Sequence, residues 1–199
     1  MNWLLLLAAY FTGATPTSYI VGRVRGIDLR QHGSGNLGAT NAFRVLGWKA
    51  ATPIFMVDIA KGWFPAACFP LWDGQPSPDW ALAYGAAAIV GHVFSIYVGF
   101  RGGKGVATGA GVYLALAPLA VLVCLVVWGS IVFATGYVSV ASITAALVLP
   151  PLVFLTLGAG PVLWVGLGLA AFVIFAHRSN IRRLRRGEEH RFRRKAAAP

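Results

Sequence analysis

Long apolar runs separated by short polar loops fill this chain, and they admit one class of fold, a bundle of membrane-spanning helices. A helix that crosses a bilayer needs about 20 mostly apolar residues, with about 17 to 25 tolerated. Residues 2–21, 48–72, 79–98 and 137–157 meet that requirement, and residues 161–176 come close to it. The first run lacks a basic start and leads straight into further apolar segments, so it reads as a retained span and not as a cleavable signal peptide. Composition agrees, since 57% of the 199 residues are hydrophobic and 12% are charged, where a soluble domain carries about 25% charge. A soluble chain of this size buries about 70% of the surface its unfolded form exposes, too little to hide so much apolar area. Cys68 and Cys124 lie inside apolar runs, where a thiol acts as a small hydrophobe.

Residues 106–134 form a run of 29 that is either one long helix or two helices hinged near Pro118. Charge decides between them. The formal net charge is +11, from 17 Lys and Arg against 6 Asp and Glu. On a soluble protein this would suggest nucleic acid; in a polytopic membrane protein basic residues mark the cytoplasmic loops instead. If the run crosses twice, three basic groups share one face: Arg23, Arg25, Arg30, Arg44 and Lys49, then Arg101 and Lys104, then the nine basic residues of the tail from Arg178 to Lys195. If it crosses once, the tail lies opposite the other two. The expectation is an all-α polytopic bundle of seven spans, amino terminus outside and carboxyl terminus cytoplasmic. Residues 1–199 then form a single transmembrane domain with a basic tail over about 178–199. Its short element is 106–117, whose 12 residues rise ~18 Å against ~30 Å of hydrocarbon. That piece is a partial helix or ends in protein-lined backbone.

The polar residues fall at the cytoplasmic ends of these spans. The first loop reads Gly33-Ser34-Gly35-Asn36-Leu37-Gly38-Ala39-Thr40-Asn41, then Arg44. It holds a formal G-x-G-x-x-G, but a dinucleotide site needs that pattern between a strand and a helix, and no strand precedes it. Glycines there let successive N–H groups point inward as an anion nest, with Ser34, Asn36, Thr40 and Asn41 as neutral donors. Arg44 brings a planar guanidinium suited to two phosphate oxygens. The plain alternative is a flexible turn between helices. The second loop, Arg101-Gly102-Gly103-Lys104-Gly105-Val106-Ala107-Thr108, lacks the Ser or Thr that follows the lysine of a nucleotide-hydrolysing loop. A Gly-Gly-Lys-Gly turn opening a helix still offers N–H groups and an ammonium to a phosphate, or merely touches anionic lipid heads.

Asp58 and Lys61 stand at i, i+3 on one helical face, as mutually neutralising partners or as a functional pair. His92, in Gly91-His92-Val93-Phe94-Ser95, is placed about two turns inside its span and reads as a packing residue. Ser139 and Ser142, also at i, i+3, either line a polar site or bond their own helix backbone. At the end of the last span comes His177-Arg178-Ser179-Asn180-Ile181-Arg182-Arg183-Leu184, then Gly187-Glu188-Glu189. His177 and Asn180 are one turn apart and share a face. The alternative is a polar helix end with a basic tail. The four histidines are scattered and lack a metal-ligand pattern.

In order, GSGNLGATN with Arg44, the D-x-x-K-G of Asp58 to Gly62, GHVFS with FRGGKGVAT, Ser139 and Ser142, and H-x-x-N-I-x-R-L-x-x-G-x-E resemble the bacterial membrane acyl-phosphate:glycerol-3-phosphate acyltransferase family (PlsY type). The match covers about residues 22–192. One departure is Arg101, where the family places lysine, and the charge is kept. The resemblance implies transfer of a fatty acyl group from acyl phosphate to the 1-hydroxyl of glycerol 3-phosphate, giving lysophosphatidate and phosphate. It also implies the seven-span fold and a home in the bacterial cytoplasmic membrane.

Both reagents carry a phosphate and one an alkyl chain, which suits cationic loops at a lipid interface. Acyl phosphate is already activated, so no acyl-enzyme is needed, and no G-x-S-x-G elbow occurs. The candidate catalytic residues are His177, Asn180, Lys104, Arg44 and Ser34. Candidate phosphate and substrate contacts are Gly33, Gly35, Asn36, Gly38, Thr40, Asn41, Gly102, Gly103, Gly105, Thr108 and Ser142. No cofactor or metal is expected, and the partners are the two reagents and membrane lipid, not nucleic acid. The proton goes to His177 or to the donor phosphate. A carrier of phosphorylated solutes and a non-catalytic lipid-binding subunit are the rival readings; carriers tend to show internal repeats and midplane sites.

Overall fold

The computed structural model describes residues 2–74 and 76–192. Among them the regular structure is helical: α1 (Trp3–Ala14), α2 (Thr17–Val24), α3 (Ala39–Leu46), α4 (Trp48–Trp72), α5 (Pro78–Val93), a 3-10 turn (Ile96–Val98), α6 (Val106–Leu116), α7 (Pro118–Thr135), α8 (Val138–Leu157), α9 (Pro161–Ala176) and α10 (Arg178–Arg185). Four elements, Trp48–Trp72, Pro78–Val98, Pro118–Thr135 and Val138–Leu157, are long and apolar enough to cross a membrane. The pairs α1 with α2 and α9 with α10 qualify when joined, bent by 44° and 52°, and α6 is a shorter apolar helix. The chain forms two compact units, Met1–Pro118 and Leu119–Pro199. The basic residues Arg193, Arg194 and Lys195 lie outside the described residues.

Two expectations change and a third is borne out. Residues 2–21, expected as one spanning helix, break at Thr15 and Pro16. Proline has no N–H to donate and its ring disfavours helical backbone in the residue before it. The span expected over 79–98 is α-helical only to Val93, which places His92 in the last turn of α5 and not two turns inside. The hinge near Pro118 lies at Ala117, where α6 stops and α7 starts.

In the first unit, α4 packs on α5 and α6, and α1 packs on α5. Glycines let these backbones touch. A Cβ on Gly13 would collide with the Ala88 carbonyl and one on Gly91 with that of Tyr10, which fixes the α1–α5 crossing. Gly62 and Gly111 do the same for α4 and α6, against Thr108 and Ile59. In lipid, helices associate through such close packing because water supplies no driving force between them. Near the loops the environment is different. Leu29 and Leu37 of the first loop, Ile54 of α4 and Val98 of the 3-10 turn form one buried cluster. Each such side chain contributes about 1.5–3 kcal/mol when taken from water, so the cluster pins both glycine-rich loops to α4.

In the second unit α8 packs on α9. Residues after α10 fold back: the Phe192 N–H donates to the Gly136 carbonyl at 2.6 Å, and Arg191 Nε donates to the Tyr137 hydroxyl at 2.8 Å. The tail up to Phe192 is therefore tied to the start of α8.

Candidate functional site

The first loop is held by its own polar groups. Asn41, in the first turn of α3, is 1% exposed. Its Oδ1 accepts the Ser34 N–H at 2.8 Å, and its Nδ2 donates to the Leu29 and His32 carbonyls at 3.2 and 3.1 Å. The Gly35 N–H donates to the His32 carbonyl, and the Gly38 N–H to Asn36 Oδ1. A Cβ on Gly33, whose φ is +63°, would run into Asn41 Oδ1. Arg30 forks onto Asp28, holding that carboxyl down at about 2, and its guanidinium lies 4.8 Å from the Tyr19 ring centre.

These bonds correct part of the anion-nest expectation. The amides of Ser34, Gly35 and Gly38 are spent on acceptors inside the loop, and Asn41 is a tie that uses its whole amide. What the loop turns outward is side chains. Ser34 is exposed, and Thr40 and Arg44, half-buried, share a face of α3 at i, i+4.

The second loop follows the same logic. The Gly102 and Gly103 N–H groups donate to the Val93 and His92 carbonyls at 2.9 and 3.1 Å, closing the turn onto the end of α5. Side chains would not fit: a Cβ on Gly102 meets the His92 carbonyl, and one on Gly103 meets His92 Nε2. The glycines thus serve close approach, and their amides are not phosphate donors. Gly105, at φ +78°, leads into α6, whose first-turn amides have no acceptor within the helix. Half-buried Lys104 immediately precedes it. Thr108 is 0% exposed and sits at the α4–α6 contact, where Gly62 brings α4 onto it.

Between the loops, Leu37 of the first and Gly102 and Gly103 of the second line one small pocket with Thr15, Pro16, Thr17, Lys61, His92 and Ser95. Asp58 and Lys61 do pair, at 2.8 Å and nearly full burial. Lys61 also donates to the Thr15 carbonyl at 2.9 Å, and Ser95 Oγ donates to the Ala14 carbonyl. The break in the first helix is thereby satisfied by α4 and by the segment after α5, a role that no motif announced. His92 Nδ1 lies 4.0 Å from Asp58 Oδ1.

The second unit carries the remaining candidates. His177 closes α9 and opens α10, and its Nδ1–H donates to the Val173 carbonyl at 2.7 Å. A carbonyl only accepts, so this contact fixes the tautomer with the proton on Nδ1. Asn180 Nδ2 donates to Glu189 Oε1 at 2.6 Å. Glu189 was not among the expected site residues. Its side chain is 1% exposed, Ser139 Oγ donates to the same oxygen at 3.1 Å, and Arg183 Nε donates to Oε2 at 2.7 Å. Burial pushes this carboxyl up. The bonds from Asn180 and Arg183, the guanidinium charge and the bond from Ser139 together outweigh burial and hold it below the usual glutamate range. Ser139 thus reaches across to Glu189, and Ser142 Oγ accepts from Trp128 Nε1 at 3.2 Å. The available signal for Glu189 was scarcity, an acid set among arginines in a chain with six acids. Among the described residues no group of three His, Cys, Asp or Glu could hold a metal ion.

The family model described as glycerol-3-phosphate acyltransferase matches residues 3–187. A glycerol-3-phosphate acyltransferase of Geotalea daltonii is 41% identical over 190 residues, covering 96% of this chain and 97% of that one. Two crystal structures of PlsY (YgiH), an integral membrane glycerol 3-phosphate acyltransferase, share the fold. The glycerol 3-phosphate form has a TM-score of 0.90 at 37% identity over 96% of this chain and 95% of its own. The lysophosphatidic acid form has 0.86 at 36% over 95% and 94%. The all-helical fold, the buried polar cluster among apolar helices and these likenesses agree, and the chain belongs to the glycerol-3-phosphate acyltransferase family, PlsY type.

Proposed function

We propose that this chain transfers a fatty acyl group from an acyl phosphate to the 1-hydroxyl of glycerol 3-phosphate, releasing lysophosphatidate and inorganic phosphate. The observation that carries the reading is that the two cationic glycine-rich loops meet at one pocket in the first unit, with Arg44 on α3 and Lys104 before α6. Arg44, Lys104, Ser34 and Thr40 bind the phosphates through side chains, with the first amides of α6 beside Lys104. His177 and Asn180 orient the acceptor and steady the oxyanion that develops on the acyl carbonyl. Asn41, Thr108 and Gly102–Gly103 act by shaping the loops. The acceptor hydroxyl attacks the carbonyl carbon directly, the C–O bond to phosphate breaks, and the proton passes to a phosphate oxygen of the donor. No acyl-enzyme forms. Holding both reagents in line lowers the barrier by several kcal/mol through proximity alone.

The same reading takes the four long helices, the two bent pairs and α6 as seven spans. The amino terminus is outside, the carboxyl terminus is in the cytoplasm, and the site opens on the cytoplasmic face of the bacterial inner membrane. Release of phosphate by purified protein given acyl phosphate and glycerol 3-phosphate, without any vesicle gradient, tests it. Full turnover in Lys104→Ala or Arg44→Ala would refute the site. The short α6 and the broken first helix with buried Lys61 and Asp58 favour a carrier, and gradient-dependent substrate uptake with no phosphate release would decide for it.

A further inference from the structure

Two residues of the pocket between the loops each carry a polar atom that the protein leaves unanswered. Thr17 Oγ1 and His92 Nδ1 are cut off from solvent and have no hydrogen-bond partner among the described residues, and both residues line this pocket. His92 itself is 6% exposed. Buried polar atoms are almost always paired, with protein or with a small bound molecule.

Charge and size identify the occupant. The one cation in the lining, Lys61, is already neutralised by Asp58 at 2.8 Å and donates to the Thr15 carbonyl. A phosphate would bring up to two negative charges into a place with no net positive charge to receive them. The open space admits about one water-sized group. The occupant must therefore be small and neutral, able to give one hydrogen bond and take another.

We propose that this pocket is a hydroxyl site, in which a single hydroxyl group bridges Thr17 Oγ1 and His92 Nδ1 beneath the two glycine-rich loops. A water molecule supplies that hydroxyl, or the carbon-2 alcohol of the acceptor does; the second source rests on the function proposed above. Either way the bridge joins the broken first helix, through Thr17, to the end of α5 from which the Gly102–Gly103 turn hangs.

Thr17→Val keeps the shape and removes the hydroxyl, and thermal unfolding of the full-length protein in nanodiscs reads the result. An occupied site loses its bridge, and the midpoint falls by about 2–4 °C. If the midpoint holds or rises both with and without glycerol 3-phosphate in the melt, the pocket is dry and the substitution removed only an orphaned hydroxyl, which would overturn the proposal. Thr17→Ser and Thr17→Ala differ from each other by that hydroxyl alone and give the same sign test if the valine variant does not fold. The source is read from kcat/KM for glycerol 3-phosphate and for 3-hydroxypropyl phosphate, which lacks the carbon-2 alcohol. With water in the site, Thr17→Val lowers both by one factor. With the acceptor alcohol there, a preference of about 10-fold collapses toward unity. The unfolding midpoint needs no turnover, so it stands or falls apart from the acyltransfer reading.

Discussion

Replacing Glu189 by glutamine is the sharpest test of the second unit. The carboxylate accepts Ser139 Oγ and Asn180 Nδ2 on one oxygen and Arg183 Nε on the other. If the new carbonyl stays between Ser139 and Asn180, the new NH2 faces Arg183 Nε–H. If it turns, the NH2 faces Asn180 Nδ2. A donor is stranded in both poses, at a cost of about 1–2 kcal/mol. The Arg183 side chain is 27% exposed, so loss of the ion pair itself adds only about 1 kcal/mol. The sum, about 2–3 kcal/mol, lowers the unfolding midpoint by about 5–10 °C for a chain of this size.

The pH dependence has a fixed sign. Because the folded carboxyl titrates below its usual range, its stabilisation is present above the unfolded glutamate value of about 4.3 and is lost as pH falls through the folded value. The wild type should lose stability across that acid window, and Glu189→Gln should lack this component. Turnover should fall as well, since Asn180 is released. Circular dichroism melts from pH 3 to 7, with the exposed Glu188→Gln as control, check all of this. A Glu189→Gln midpoint and acid limb indistinguishable from wild type would refute the hub.

Three further outcomes are expected. Gly103→Ala drives a methyl into the His92 ring and should cut kcat/KM at least about 10-fold, whereas Gly129→Ala, with open space around it, should leave the phosphate-release rate unchanged. Asn41→Asp keeps the acceptor for Ser34 but loses the donors to Leu29 and His32; about 1–3 kcal/mol should be lost from the melt, with KM for glycerol 3-phosphate rising more than kcat falls. Lys61→Met leaves Asp58 charged and alone, costing about 3–5 kcal/mol, and the double change with Asp58→Asn should recover most of it in the same melt.

Much of the helical frame was legible. The run 48–72 became α4 without a shift, and the proline at 118 marked the α6–α7 hinge, because span length and proline geometry are local properties. The break before Thr17 was visible only as a Pro16 inside an apolar run, and hydropathy smoothed over it. The glycine loops were found, but the destination of their amides was not. Whether the Gly103 N–H meets a phosphate or the His92 carbonyl depends on a close approach that no residue pattern encodes. Glu189 was hidden for a related reason, since Ser139 lies fifty positions away in sequence.

The eleven residues of α6 rise only ~16 Å, about half the hydrocarbon thickness. A rod that short cannot bridge two aqueous surfaces, so its lysine-bearing start lies below the general plane of the lipid headgroups, or the bilayer dips to meet it. On the acyl transfer proposed above, a greasy donor would be worked on at that depth, its tail still dissolved while its reactive head reaches the charges.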